Sequence, residues 1–334
     1  MKHDLTIPVD RERLEEELTE KTLARTWRDV EIHFVKKKTA PNTLKEINRI
    51  SAIMFNLDGP DGDKFDDTYP YIVTYDRVNR EVLSFYRYII CQDAIYGGWD
   101  IRLSTYKYFK FSSYFRKTIL PSTIEFGRSV VNKTAKRQDI GLQAVWLGLG
   151  ILVYEYHLHP KGIKIDYFFG KFSLQWSIYN AEARDMILGL FKKHFSPPDN
   201  ENIDVIPRAK FATKLNFSAA QTAFTEEKYK GNQKKLHQYL DSVGMPVARL
   251  AESYANMGVK YYGTADNPDL LAWESTILQD IGKIPEAYLR IFVADYVTTN
   301  PALFIYQPRK TFRTEFWKTL SSMIKFIKPR AELY

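Results

Sequence analysis

The stretch "STIEFGRSVVNKTAKRQDIGLQAVWLGLGILVYEY", Ser122 to Tyr156, decides the fold, because it feeds a strand-like run through a basic segment into a long apolar helix. Its first part is rich in β-branched residues and reads as a strand. Residues three apart on a strand point to opposite faces, so regular β backbone does not bring Glu125 and Arg128 together. Gly127 between them predicts a bulge that re-aims one side chain and opens the sheet locally. An opened central strand admits an extended ligand, and a carboxylate there can take a proton from an attacking amine, directly or through water. The other reading of the pair is a structural ion pair in a buried sheet.

The second part, "AKRQDIGLQAVW", starts a helix. Backbone N–H groups and the positive end of the helix dipole hold a phosphate at such a start, and a glycine lets the ligand approach the backbone. Lys133, Lys136 and Arg137 place cations there, and Gln138 and Gly141 are the candidates for the turn itself. A solvated basic surface before a helix is the alternative.

Upstream, Val9 to Thr19 reads as a charged helix opened by Asp10, and "DVEIHFV" (Asp29 to Val35) alternates as a strand. "APNTLKEINRISAIMF" is a helix with Asn42 or Thr43 near its cap and Leu44, Ile47, Ile50 and Ile53 on one face. "NLDGPDGDKFDDTYP" is an exposed acidic turn segment, followed by strands Tyr71 to Asp76 and Arg80 to Cys91 joined as a hairpin. Downstream come a strand, Lys164 to Leu174, and a helix opened by Asn180 and stopped by Pro197 and Pro198. A helical stretch, roughly 218–257, precedes strands Val259 to Gly263 and Ser275 to Ile281. The order predicts a mixed α/β fold. No internal repeat or low-complexity tract interrupts it.

The chain has 334 residues, 45% of them hydrophobic and 15% aromatic, enough to bury one large core. No window reaches the ~18 uncharged apolar residues of a membrane-spanning helix. The acidic start "MKHDLTIPVDRERLEEELTE" lacks a signal peptide's apolar core, which points to the cytoplasm. Cys91 is the only cysteine, so neither an intramolecular disulfide nor a cysteine-based zinc site is available. The net charge of +8 favours an anionic partner. Nucleic acid is not expected, because the basic residues are scattered rather than clustered among aromatics, except in the tail. GxSxG, GxxxxGK[ST] and GxGxxG are all absent, which removes sequence support for serine hydrolases, P-loop enzymes and Rossmann oxidoreductases. His157 and His159 lack a third ligand for a metal. Asp63, Asp66 and Asp67 offer charge to a cation or ammonium group, or are simply solvated.

Together, "GDKFDDTYPYIVTYDRVNREVLSFYRY", "STIEFGRSVV", "GLQAVWLGLGILV" and "DYFFGKFSL" resemble the bacterial GNAT-superfamily N-acyltransferases that make amino-acid lipids, often labelled hemolysin-like. The matching positions are Phe65 and Asp66, Tyr86 and Arg87, Glu125 to Ser129, Trp146 and Gly148, and Tyr167 to Ser173. "SIYNAEARDMILGLFKKHFSPPDN" and "YYGTADNPDLLAWESTIL" resemble the glycine-lipid branch, and the likeness spans about Val9 to Ile281. It implies a GNAT-type domain over residues 1–285, with a mixed splayed sheet, a helical insertion and a C-terminal extension over 286–334.

The resemblance also implies transfer of a long, 3-hydroxy acyl chain from acyl carrier protein to the α-amine of glycine, with ornithine as the second acceptor and acyl-homoserine-lactone-like synthesis as a rival. A non-catalytic basic membrane-binding module is the rival outside enzymes. The implied catalytic residues are Glu125 as base, Arg128 orienting it or a substrate carboxylate, and Ser129. Asp66 and Arg87 would bind the acceptor, and Arg137, Gln138 and Gly141 the donor's phosphopantetheine. The turn Gln138 to Gln143 ends in Gln where many GNAT proteins carry Gly or Ala, which suits a carrier protein with a single phosphate better than coenzyme A. No permanently bound cofactor or metal is expected.

The tail "RKTFRTEFWKTLSSMIKFIKPR" sets Phe312, Phe316, Leu320, Met323, Ile324 and Ile327 at helical spacing, with lysines and arginines around the stripe. Phe316, Trp317 and Lys325 are the expected contacts with an anionic membrane on the inner face of the plasma membrane. Packing on the domain or a dimer contact are the alternatives.

Overall fold

A computed structural model describes residue 5 and residues 7–95, 102–198 and 203–289. The chain runs α1 (Arg11–Glu17), β1 (Leu23–Trp27), β2 (Val30–Val35), α2 (Pro41–Phe55), β3 (Tyr71–Asp76), β4 (Glu81–Ile90) and α3 (Cys91–Ala94). It continues with β5 (Phe109–Phe111), β6 (Thr123–Val131), α4 (Gln138–Val153), β7 (Tyr167–Gln175), α5 (Ala181–Phe195) and β8 (Val205–Pro207). The rest is α6 (Ser218–Ala223), α7 (Tyr229–Ser242), α8 (Arg249–Met257), β9 (Lys260–Asn267) and β10 (Ala272–Asp280).

Eight strands form one sheet in the order β1-β2-β3-β4-β6-β7-β10-β9, while β5 and β8 pair separately. Every neighbour pair in the large sheet is antiparallel except β6 and β7. The mixed α/β class is as the element order predicts, and the layout is compatible with a GNAT-like fold. The stretch 218–257 is helical as expected, in three pieces, and the strand β1 had no signal in the sequence reading.

Alternation along the strands assigns the helices to faces. Tyr71, Val73, Tyr75, Val82 and Phe85 pack with Leu44, Ile47 and Ile50 of α2 and Leu14 of α1. Ile72, Tyr86, Phe126 and Phe168 turn to the other face and pack on α4. Farther along β7, Phe172 and Leu174 meet α5, α7 and α8 on that same face. At the start of α2 the predicted cap is replaced. Asn42 and Thr43 do not accept there; instead their backbone N–H groups and side chains donate to the Glu17 carboxylate at 2.7–2.9 Å. A carboxylate reaching over from α1 satisfies the donors that the helix start leaves open.

The parallel pair is the feature that positions the site. Partners are Thr123 with Tyr167, Ile124 with Phe168 and Glu125 with Phe169, and the pairing goes no further although both strands continue. Beyond Glu125 the two strands diverge. Gly170 sits where they part, and a Cβ built on it would stand 2.9 Å from the Phe126 carbonyl oxygen, so only glycine allows the strands to close to that point.

Candidate active site

The bulge in β6 is real but falls one residue past Gly127. Phe85 opposes Val130 and Arg87 opposes Gly127, which leaves Arg128 and Ser129 facing the single residue Tyr86. Arg128 takes up the extra residue in left-handed backbone, φ 47°, while Gly127 has no such requirement. The bulge reverses the alternation beyond it. Glu125 and Arg128 therefore lie on one face of the sheet and Ser129 on the other.

The two charges share a face but do not pair. Glu125 is fully buried and accepts from Tyr69 Oη at 2.7 Å, Ser104 Oγ at 2.7 Å, Thr105 N at 2.8 Å and Thr105 Oγ1 at 2.5 Å. The expected orientation of Glu125 by Arg128 is thus replaced by donors from Tyr69 and the 104–105 segment. Tyr69 in turn accepts from Ser104 N at 2.9 Å, and burial together with the Glu125 charge pushes its phenol well above the usual range. Four hydrogen bonds supply the compensation that a buried carboxylate needs without a cation.

Arg128 joins a separate ionic cluster. Its Nη1 donates to Asn48 Oδ1 at 2.9 Å and to both oxygens of Asp66 at 3.1 Å, and its Nη2 lies 3.4 Å from Asp61 and 3.3 Å from Asp63. Arg87 enters from β4, with Nη1 donating to Asp63 at 2.7 Å and to Asp66 at 3.0 Å. Tyr71 adds a 2.6 Å bond to Asp66. Burial raises the Asp66 carboxyl, but Arg128, Tyr71 and Arg87 outweigh it and hold the group below the ordinary aspartate value. Asp61 goes the other way, raised chiefly by burial. The acidic segment expected to be exposed is therefore partly internal, because two buried guanidinium groups draw its carboxylates in. Asp66 has both oxygens occupied by protein donors. Among the described residues no group of three or more His, Cys, Asp or Glu is arranged to hold a metal.

On the opposite face, Ser129 is hydrogen-bonded to Tyr86, whose hydroxyl also meets Tyr254 of α8 at 2.7 Å. The helical insertion thus reaches the splayed strand β6 through Tyr86 of β4. Burial raises both phenols, that of Tyr254 to about 12.

At the start of α4, Arg137 donates to the Arg28 carbonyl at 2.9 Å and lies 3.5 Å from Asp76, so its guanidinium is turned to the ends of β2 and β3. Gln138 is exposed as the first helical residue, and Asp139 puts a carboxylate in the first turn. Gly141 is buried one turn in, not in the turn itself. A Cβ there would lie 3.1 Å from the Leu83 carbonyl, and its own carbonyl accepts from Ser84 Oγ at 2.6 Å. Close helix–sheet packing is what this glycine serves, rather than approach of a phosphate. The tail residues Phe316, Trp317 and Lys325 lie outside the described residues.

Tyr69, Ser104, Thr105 and Tyr254 escaped the sequence reading. They lie 56, 21, 20 and 129 positions from Glu125 (125−69, 125−104, 125−105, 254−125), and of the four only Tyr69 falls in a stretch that carries the resemblance.

A mixed sheet that splits beside a buried carboxylate offers an open strand edge to an extended ligand. The chain is 29% identical over 316 residues to a Bacteroides thetaiotaomicron protein named glycine N(alpha)-acyltransferase, across 88% of this chain and 90% of that protein. It is 28% identical over 320 residues to a Phocaeicola vulgatus protein of the same name, across 89% of this chain and 95% of that one. Both likenesses support an acyltransferase. No family model matches the chain, and no solved structure matches it. No helix among the described residues is long and apolar enough to cross a membrane.

Proposed function

We propose that the protein acylates the α-amine of glycine, taking a long 3-hydroxy fatty acyl chain from acyl carrier protein as the first step in making an amino-acid lipid. The observation that carries this reading is the parting of β6 and β7 immediately beyond Glu125, and the names of the two relatives support glycine as acceptor. The donor's pantetheine arm lies along the unpaired edge of β6, where strand N–H groups polarise the thioester carbonyl. The amine nitrogen attacks the carbonyl carbon, the C–S bond breaks, and the thiolate takes a proton from solvent. Glu125 is too buried to meet the amine directly. The amine's proton passes to Ser104 Oγ as the Ser104 proton moves to Glu125 Oε1, to which it is already hydrogen-bonded.

The exposed start of α4 at Gln138 serves the single phosphate of the carrier's arm, and the net charge of +8 suits an acidic carrier protein. The catalytic domain spans 1–285, and the extension 286–334 rests on the inner face of the membrane that receives the product. Purified protein given one acyl carrier donor and a panel of amino acids tests the reading, with mass spectrometry of the products. N-acylglycine is the expected product. N-acylornithine would move the acceptor assignment, and the absence of any N-acyl amino acid would overturn the reading.

A further inference from the structure

Helices α5 and α6 meet where neither carries a bulky side chain. A Cβ built on Gly189 would collide with the Ala220 Cβ, so glycine is what lets the two helices approach there. A cavity of about 310 Å³ opens beside that meeting point. Its inner surface is apolar, made by Gly189, the buried Ala220 and Phe224, and the half-buried ring of Phe217. Its rim is polar, made by the exposed Lys192, Lys193 and Gln221.

Gly189, Lys192 and Lys193 share one face of α5, three and four residues apart, while Ile187 and Phe191 turn to the opposite side. There Phe191 packs on Phe172 of β7, with ring centroids 5.1 Å apart. The helix therefore stands between the cavity and the strand that parts from β6 at Glu125. Lys192 Nζ lies 4.8 Å from the centroid of the Phe217 ring, which holds the ammonium group at the mouth. Neither lysine enters an ion pair among the described residues, and no carboxylate lines the cavity. Two uncompensated cations thus border an apolar hollow.

We propose that this cavity binds one long-chain anionic amphiphile, with its alkyl chain against Phe217, Ala220 and Phe224 and its carboxylate between Lys192 and Lys193. The proposal goes beyond the acyl transfer and does not depend on it. An inorganic anion would meet only exposed ammonium groups, with no buried donor to hold it, and an uncharged hydrocarbon would leave both cations unused. Lysine lays its methylene stem along apolar surface and keeps its head in water, which matches a carboxylate at the end of an alkyl chain. The volume lies at the lower end of small-molecule sites and is smaller than one turn of a helix roughly 10–12 Å across, which argues against a partner's helix as occupant. A free fatty acid and an N-acyl amino acid both carry the required chain and carboxylate.

The test is calorimetric titration of the full chain with decanoate, N-decanoylglycine and decanol, each dissolved as monomers. Decanoate should bind more tightly than decanol by about 5–20-fold, the effect expected of two exposed lysines, and added salt should narrow that difference. Lys192→Gln combined with Lys193→Gln should weaken decanoate by the same factor and leave the melting temperature unchanged. Gln221→Trp sets an indole into the cavity from an exposed position and should abolish the binding event. Binding between the parted strands would persist in both variants, which tells it apart from the cavity. Tighter binding of N-decanoylglycine than of decanoate, lost in the same variants, assigns the acylated amino acid as occupant, and the reverse order assigns the free fatty acid. Decanol binding as tightly as decanoate would overturn the proposal, and so would wild-type affinity in either folded variant. Failure of acyl transfer to glycine would leave these binding readouts as they stand.

Discussion

Glu125→Gln separates the structural from the chemical duty of the buried carboxylate. Its four donors, Tyr69 Oη, Ser104 Oγ, Thr105 N and Thr105 Oγ1, constrain how an amide can sit. The Thr105 N–H cannot reverse, so the amide oxygen must stay with Ser104 and Thr105 and the NH₂ must face Tyr69. Tyr69 then has to accept instead of donate, although its oxygen already receives Ser104 N. The three surviving bonds drop from charge-assisted to neutral and one is inverted. Part of this loss is offset because a neutral group no longer has to be desolvated as an ion, leaving a net cost of about 2–4 kcal/mol. Such a cost lowers the melting temperature by roughly 3–6 °C in a chain of this size. At 25 °C the variant remains folded, and kcat should fall by roughly 10²–10⁴-fold if the carboxylate is the proton acceptor. Thermal unfolding by circular dichroism and single-donor turnover measure the two effects separately. Thr105→Val provides the control, since it loses one charge-assisted donor at about 1.5–3 kcal/mol and should keep kcat within a few-fold. An unchanged melting temperature would refute the network. A lowered melting temperature with full kcat would refute the proton path and leave Glu125 as the bolt of the 104–105 segment.

Other consequences follow from the same geometry. His33 is buried between Thr22 Oγ1 and Glu31, and desolvation holds its pKa below the ordinary histidine value. The unfolded chain then binds the proton more readily, so this contribution to stability is complete above the unfolded pKa near 6.5 and is lost as pH falls below it. His33→Gln should flatten the stability loss between about pH 7 and 5 in urea titrations. Gly170→Ala forces a methyl to within 2.9 Å of the Phe126 carbonyl, and backbone cannot step aside cheaply. It should cost about 1–3 kcal/mol and depress kcat/KM for the acyl donor more than KM for glycine, which steady-state titration of each substrate would show. Removing Arg309 to Tyr334 should abolish sedimentation with anionic liposomes at low salt, and equal binding by full-length and truncated protein would exclude the tail as anchor.

The sequence by itself determined the mixed α/β class, the strand–helix unit from Ser122 to Tyr156 and the helical nature of 218–257, because hydrophobic period and capping residues are local signals. Asn180 caps α5 as its sequence position indicates, accepting from Ala183 N at 2.8 Å. The resemblance carried by the sequence's motifs marked Glu125, Arg128 and Ser129 as catalytic and Asp66 and Arg87 as acceptor-binding. What each of them touches was decided only by the tertiary structure. A left-handed Arg128 turns two charges onto the same face, yet gives one to Tyr69, Ser104 and Thr105 and the other to three aspartates. Arg87 stands beside Gly127 only because β4 lies next to β6 in the register that sets the two opposite each other. Arg87 and Gly127, 40 positions apart (127−87), meet only when the sheet forms. No local pattern encodes that meeting, because desolvation and hydrogen-bond completion act between whichever groups the folded chain brings together.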